Sequence, residues 1–391
     1  MFVLIRTLES KLKEDICEAI LRRIKPNLTL IEKEKVVGVT SKLNHLFSLL
    51  NPNSNDDDDD DDEDNNVILV GIHGMGGIGK STIARVCYEQ IRGEFKAHCF
   101  ISNVREQFET AGITHLQSKL LSGITFSMKK IDKGDDLDGR ALISKAISLK
   151  KTLLVLDDVD HLDQITKLIP DKDCFVDGSR VIITTRNADL LSTHGVKRMF
   201  KMEELEYEES LQLLSLNAFK ERCPREGYLG QSDRIVKLAG GHPLALQVLG
   251  SSLQNKDLSV WDYVIERLKG GWSIDDKIFK CLKVSYDGLD DEQKEIFLDI
   301  ACFFKGKRRD LVEEILDGCD LYAKRNVELL IQKSLITLSH PDRLQMHDLL
   351  QEMGRKVVHQ KPVRDRLWCL NNIKSVVRCD AHLLLLLRIF K

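Results

Sequence analysis

The run GMGGIGKST, residues 74–82, constrains the fold of this chain more than any other segment. It fits the pattern G-x-x-x-x-G-K-[ST], with Lys80 and Ser81 at the last two fixed positions. An apolar run at residues 67–72 precedes it, and residues 80–91 have the spacing of an amphipathic helix. A strand, a glycine loop and a helix in this order predict a phosphate-binding loop, in which backbone N–H groups and a helix N-terminus surround phosphate oxygens.

The pattern also predicts what the loop binds. Lys80 is expected to reach the β- and γ-phosphates of a nucleotide, and the Ser81 hydroxyl to ligate Mg²⁺. The predicted nucleotide-binding residues of the loop are Gly74, Met75, Gly76, Gly77, Ile78, Gly79, Lys80, Ser81 and Thr82. The expected cofactors are therefore ADP or ATP, with Mg²⁺.

Two further strand-like runs end in charged residues that suit such a site. LLVLDD ends in Asp157, the predicted second Mg²⁺ ligand, and Asp158, which either orients an attacking water as a catalytic residue or only polarises it. GSRVIITTRN ends near Arg186, which either senses a γ-phosphate or is a surface arginine at a strand end. The spacing alone leaves both alternatives open.

The periodicity changes twice along the chain. Strand-like and helix-like runs alternate up to about residue 204, which predicts a parallel sheet with crossover helices. Helices alone follow, and from about residue 290 three helices precede a hairpin, the plan of a winged helix. The predicted fold class is an α/β P-loop NTPase followed by a helical domain and a winged-helix domain. The predicted domains are a linker-helix region at 1–35, a nucleotide-binding domain at 36–204 with an acidic insertion at 51–66, a helical domain at 205–285, a winged-helix domain at 286–365 and a tail at 366–391.

Charge and cysteine usage narrow the class of protein. The net charge is −3, but nine consecutive acids at 56–64 account for it, because 58 basic residues face only 52 acids elsewhere. A surplus of six is too small to indicate nucleic-acid binding. The acidic run enters the far end of the first strand, roughly 20 Å from the phosphates, and is expected to be an insertion rather than a magnesium site. Ten cysteines without CxxC spacing predict reduced core thiols. With no apolar run long enough to span a membrane, the expected compartment is the cytoplasm, with the nucleus as the alternative.

Six motifs in order make the family resemblance specific. They are GMGGIGKST, LLVLDDVD, GSRVIITTRN, GHPLAL, FLDIACFF and MHDLLQEMGR. Their order resembles the NB-ARC module of plant intracellular immune receptors, a STAND-type ATPase, in the subgroup that carries an N-terminal TIR domain. ISNVRE at residues 101–106 is similar to that subgroup as well. The resemblance names the helical and winged-helix domains ARC1 and ARC2.

The resemblance implies a defence-signalling switch that is off with ADP bound and on with ATP bound. It implies that Val36 and Val37 lie along the adenine, that Pro243 packs near it, and that His347 contacts the ADP β-phosphate. Hydrolysis would be slow at most and would reset the switch. The implied partners are the nucleotide and other immune-receptor or signalling proteins, with self-association in the ATP-bound form.

Three departures from the family, the third at residues 39–42, which lack the usual acidic or arginine residue, and two alternatives complete the expectations. The chain begins where a TIR domain would end and lacks leucine-rich repeats, so a truncated receptor without NAD-cleaving activity is expected. The alternative function is a nucleotide-gated transcription regulator that places its winged helix on DNA. The third helix of that unit, at 326–333, contains only Lys333 as a base, which disfavours this reading. A fast ATPase motor is disfavoured because no glutamate follows Asp158.

Overall fold

The computed structural model of the protein describes residues 37–51, 67–125, 136–269, 274–319, 321–339 and 341–360. The predicted linker helix, Val36, the acidic run and the C-terminal tail lie outside these ranges. The chain divides into a unit Met1–Gly38 and a unit Val39–Lys391. Everything below concerns the second unit.

A five-stranded parallel sheet forms the centre of the nucleotide-binding domain. Its strands are β1 Ile68–His73, β2 Ala97–Ile101, β3 Thr152–Val159, β4 Arg180–Thr185 and β5 Arg198–Lys201. The order across the sheet is β2-β3-β4-β1-β5, and every pairing is parallel. The central strands are continuous apolar runs because both faces of such a sheet are covered.

Helices cover both faces of this sheet. They are α1 Thr40–Leu50, α2 Lys80–Ile91, α3 Val104–Ala111, α4 Ile113–Thr125, α5 Asp136–Ile147, α6 Leu162–Leu168 and α7 Ala188–Thr193. Alternate residues of β1 face different cores: Leu69 packs in one apolar cluster, and Val70 and Ile72 pack in the other. The carboxyl ends of β1, β3 and β4 therefore meet at one edge, where a ligand of such a sheet binds.

The described residues from 207 to 360 form a helical domain and a winged-helix domain. The helical domain comprises α8 Tyr207–Ala218, α9 Leu229–Ala239, α10 Pro243–Ser252, α11 Leu258–Leu268 and α12 Ile274–Asp287. The winged-helix domain comprises α13 Asp291–Asp299, α14 Arg309–Asp317, α15 Ala323–Gln332, β6 Thr337–Ser339, β7 Arg343–Gln345 and α16 Asp348–Gln360. A π-helical turn, Ile300–Phe304, follows α13, and β6 pairs antiparallel with β7. The predicted fold class is confirmed.

Two predicted elements end earlier than their patterns indicate. The apolar pattern at 99–104 predicts a strand, but β2 stops at Ile101, because Asn103 takes a left-handed conformation, φ 51°, as the cap of α3. The helical spacing at 292–303 predicts one helix, but the structure changes to the π-helical turn after Asp299. Helices α3, α5, α7, α12 and α16 and strand β5 had no sequence prediction. Among the described residues, no helix is both long and apolar enough to cross a bilayer.

Candidate nucleotide-binding site

The glycine loop joins β1 to α2 in a conformation that needs glycine at three positions. Gly74, Gly77 and Gly79 have φ of 147°, 74° and 102°, a region that side chains disfavour. Helix α2 begins at Lys80, directly after Gly79. The N-terminus of a 12-residue helix therefore opens at the edge where the central strands end.

Lys80 is folded back onto the loop that carries it. Its Nζ donates to the carbonyl oxygens of Gly74 at 2.8 Å and Met75 at 2.7 Å. Burial, to which the nearby Arg186 guanidinium adds, lowers the pKa of Lys80 to about 8, while Asp158 and Asp157 oppose the shift. An ammonium held in this way lies ready to exchange carbonyl partners for phosphate oxygens.

The two aspartates at the end of β3 have different surroundings. Asp157 is buried, and its carboxylate accepts a hydrogen bond of 2.6 Å from the Thr184 hydroxyl on β4. Asp158 has φ 58° and lies 3.0 Å from an Arg105 guanidinium nitrogen. Burial raises the pKa of Asp158, the Arg105 charge opposes this, and Asp348 adds to it.

Asp348, the first residue of α16, connects the winged helix to the nucleotide-binding domain. One of its oxygens accepts from Arg186 at 2.8 Å and from Arg105, and the other accepts from Lys305 at 2.8 Å. Burial raises the pKa of Asp348, but the Lys305 charge and hydrogen bond outweigh it and set the pKa at about 2. Lys305 also lies 3.3 Å from Glu106, on the same helix as Arg105.

His347 precedes this aspartate and is neutral. Burial lowers the pKa of His347 to about 4, with the Arg186 charge adding to the shift and Asp348 opposing it. Its Nδ1 accepts the N–H of Leu349 at 3.2 Å. The ring proton is therefore on Nε2, which makes His347 a donor suited to an anion.

A cavity of about 990 Å³ lies between these groups, at the upper end of the range for ligand pockets. Its walls come from the loop, from Ser102 and Asn103 after β2, from the start of α10 and from the winged helix. The predicted site residues on its walls are Gly76, Gly77, Gly79, Lys80, Ser81, Thr82, Asp158, Arg186, Pro243 and His347. The structure thus gathers residues from three domains around one cavity.

Several predicted site residues do not line this cavity. Gly74 and Met75 form the side of the loop that bonds Lys80, Ile78 is buried in the core, and Asp157 lies beside Thr184. Val37 belongs to the separate unit Met1–Gly38, so its role at the adenine stays a prediction.

A magnesium ion at this site would need ligands from the nucleotide. Within the described ranges, no group of three or more His, Cys, Asp or Glu side chains can hold a metal ion. The Ser81 hydroxyl on the wall and the Asp157 carboxylate behind it are the hard oxygen donors that Mg²⁺ takes together with phosphates and water. The residues present therefore fit a nucleotide-bound Mg²⁺ rather than a protein cage.

Sequence reasoning missed the residues that join the domains. Arg105 and Lys305 pair with Asp348 across 243 and 43 positions, a distance in sequence that no local pattern reveals. His242, which precedes Pro243 in GHPLAL, was not among the predicted site residues. Its ring contacts the glycine loop, although the sequence motif predicts phosphate binding from the loop residues alone.

Comparison with known proteins agrees with this geometry. Residues 58–223 match the family model described as the NB-ARC domain, and residues 290–362 match the winged-helix domain of the "Disease resistance protein Roq1-like" type. The disease resistance proteins RUN1 and RPV1 of Vitis rotundifolia are both 38% identical, over 90% and 92% of this chain. TMV resistance protein N of Nicotiana glutinosa is 36% identical over 90% of this chain. The chain spans only 26%, 25% and 30% of these three relatives.

Proposed function

We propose, because the chain carries an NB-ARC domain followed by a Roq1-like winged-helix domain, that it is a nucleotide-operated switch of plant immune signalling. In this proposal ADP favours the closed arrangement of the domains and ATP favours an open one. The resistance proteins to which the chain is similar support the signalling role.

The observation that carries the proposal is the position of Asp348. This carboxylate of the winged helix forms ion pairs with Arg186 and Arg105 of the nucleotide-binding domain, and Arg186 lines the cavity. A γ-phosphate in the cavity would compete with Asp348 for the Arg186 guanidinium. A ligand shifts the equilibrium between two states only by its difference in affinity for them. This competition therefore gives ATP a preference for the open arrangement that ADP lacks.

His347 gives the closed arrangement its preference for ADP. Its Nε2 carries the proton of a neutral ring, and the residue lines the same cavity as Lys80 and Ser81. A donor from the winged helix to the β-phosphate would tie this domain to the nucleotide.

The proposal assigns Asp158 at most a slow hydrolytic role. Its carboxylate is paired with Arg105 at 3.0 Å and lies 3.8 Å from an Arg186 nitrogen, so two cations hold it. A carboxylate engaged in this way is a weak general base. Slow turnover suits a switch that hydrolysis resets.

Partners and compartment belong to the proposal as well. Other immune-receptor or signalling proteins are the proposed partners, with self-association in the ATP-bound form. We place the protein in the cytoplasm, with the nucleus as the alternative. Burial raises the pKa of the core thiols Cys87 and Cys281 to about 12, which keeps them inert and suits a reducing compartment.

DNA binding is not part of the proposal. Helix α15, the third helix of the winged unit, exposes Lys324 and Arg325, but Glu328 follows one turn later. Lys333 donates to Gln293 at 3.2 Å inside the domain. A recognition helix needs a more basic face than this.

The nucleotide retained by the purified chain tests the proposal. We expect ADP at close to one molecule per chain in the wild type and little in Lys80→Ala, because the substitution removes the phosphate-binding ammonium. Lys237→Ala, which removes an exposed lysine paired with Asp233 in the helical domain, is the control and should retain ADP. A folded wild-type chain that neither retains nor rebinds nucleotide would contradict the proposal.

A further inference from the structure

His242 is a histidine of the helical domain whose ring reaches the glycine loop. Only 2% of the residue is exposed. Its Nε2 lies 2.8 Å from the Gly76 carbonyl oxygen, and its Nδ1 lies 3.3 Å from the backbone nitrogen of Ala245. A backbone N–H only donates, so Nδ1 accepts and the ring proton is on Nε2, which donates to Gly76. One neutral imidazole thus joins the cap of α10 to a loop 166 residues earlier.

Side chains hold three successive carbonyl groups of the glycine loop. Lys80 binds those of Gly74 and Met75, and His242 binds that of Gly76. A loop that cradles phosphates must turn its N–H groups toward the ligand, so the carbonyl groups must point elsewhere. Lys80 belongs to the loop itself, whereas His242 comes from another domain.

The histidine ring also packs directly on the loop. A Cβ added to Gly77 would lie 2.8 Å from the Cε1 atom of His242, so the ring fills the space that a side chain would need. A Cβ added to Gly241 would lie 2.5 Å from the Leu205 carbonyl oxygen, and the Leu205 N–H donates to the Gly241 carbonyl at 2.9 Å. This close turn fixes the backbone from which His242 extends.

We propose that His242 is a positioning residue that makes the phosphate-binding conformation of the glycine loop depend on docking of the helical domain. With the domain docked, the Gly76 carbonyl has a donor and the peptide is held. With the domain displaced, that carbonyl loses its donor and the peptide is free to turn. Coupling of this kind is reciprocal, so bound nucleotide also stabilises the docked domain. The inference rests on the proposed nucleotide binding and adds a route by which the helical domain controls it.

The residue type makes this coupling a property of GHPLAL. A leucine at position 242 would have no donor for Gly76 and no acceptor for Ala245. At this position the helical domain would then contact the glycine loop through apolar packing alone. The histidine makes the contact directional, because only one ring orientation satisfies both backbone groups.

Two substitutions separate the two hydrogen bonds of His242. His242→Gln places an amide where Nε2 lies and keeps a donor for Gly76, but gives up the helix cap. His242→Asn places an amide oxygen where Nδ1 lies and keeps the cap, since asparagine is a favoured N-cap residue, but does not reach Gly76. The measurements are the ADP dissociation constant by titration calorimetry and the unfolding midpoint of the full chain without nucleotide.

His242→Asn should have the larger effect on ADP affinity, and His242→Gln should have the larger effect on the unfolding midpoint. We expect His242→Asn to weaken ADP binding about tenfold, which is the range for an unpaired buried carbonyl, with a smaller loss of unfolding midpoint. We expect His242→Gln to change the dissociation constant less than about twofold, with the larger loss of unfolding midpoint. If His242 had only a structural role, the loss of ADP affinity in each variant would follow the loss of its unfolding midpoint.

His161 provides the matched control. It caps α6 through Nδ1, which accepts the Asp163 N–H at 3.2 Å, and it contacts no residue of the glycine loop. His161→Asn should leave ADP binding unchanged. The inference is overturned if His242→Asn binds ADP as tightly as the wild type, or if His242→Gln loses as much affinity as His242→Asn. If His242→Asn fails to fold, retained affinity in His242→Gln supports the inference and a tenfold loss overturns it. A wild type without ADP binding instead contradicts the proposed function.

Discussion

The interior of the nucleotide-binding domain and its contact with the winged helix are held by different forces. Two apolar clusters fill the two faces of the sheet, and side chains such as Leu156 and Ile183 are fully buried there. The contact with the winged helix depends on Asp348, Arg105 and Arg186, whose side chains are 25–34% exposed. Apolar burial gives a permanent body, whereas partly solvated charges give a contact that ions and phosphates can replace.

A substitution in the apolar interior of the nucleotide-binding domain should have the largest effect. Leu156→Ala in β3 removes a fully buried side chain from between the sheet and its helices, and we expect a loss of about 3 kcal/mol in the free energy of unfolding. Urea denaturation followed by circular dichroism measures it. Leu149→Ala is the control, because Leu149 is 72% exposed and should cost little. A loss below about 1 kcal/mol for Leu156→Ala would show that this face of the sheet is loosely packed.

Removal of the ionic contact between the winged helix and the nucleotide-binding domain should have a smaller effect. Asp348→Asn leaves Arg105, Arg186 and Lys305 without their shared carboxylate, and we expect about 2 kcal/mol less stabilisation of the closed arrangement. Small-angle scattering should show an expanded chain, and high salt should expand the wild type in the same direction.

The matched control for the ionic contact is Asp310→Asn. Asp310 pairs with Arg308 two positions away and joins no domains, so its loss should leave the chain compact. A compact Asp348→Asn chain at low salt would contradict the ionic account of closure.

The fold was far more predictable than the contact between domains, and the reason is the range of the forces. Strand β4 lies inside the run GSRVIITTRN that predicted it, because an apolar run between turn signals depends on neighbours in sequence. The same holds for α2, whose start Gly79 and Lys80 determine. The contacts of Asp348 and His242 depend on residues 162 and 166 positions away, so only three-dimensional structure reveals them.

Substitution of His347 should have a smaller effect on the contact between the domains, because this residue is proposed to act through the nucleotide rather than through an ion pair. His347→Ala removes the proposed donor to the β-phosphate, and we expect ADP to dissociate about five to ten times faster, the loss of one hydrogen bond. Stopped-flow displacement of a fluorescent ADP measures the rate. His359→Ala, at the other end of α16, should leave it unchanged. An unchanged rate for His347→Ala would remove this residue from the proposed closure.

The smallest predicted effect is a dependence of ADP affinity on pH. Burial sets the pKa of Lys80 at about 8 without ligand, and bound phosphates would raise it. After correction for the ionisation of the ADP β-phosphate itself, affinity is therefore full well below pH 8 and falls as pH rises through 8, by about twofold between pH 6 and pH 8. Calorimetric titration across this range measures it, and Lys80→Arg should flatten the profile. A corrected affinity that rises with pH would contradict the assignment of Lys80 as the phosphate ligand.

The central claim is that the nucleotide decides whether the winged helix stays against the nucleotide-binding domain. Fluorescence energy transfer between unnatural-amino-acid labels at the exposed positions Leu149 and Leu311 tests it directly, with one label in each domain. We predict high transfer with ADP and lower transfer with a non-hydrolysable ATP analogue. In Asp348→Asn the transfer should be low with either nucleotide. Identical transfer with ADP and the analogue, both bound at saturation, would contradict the account.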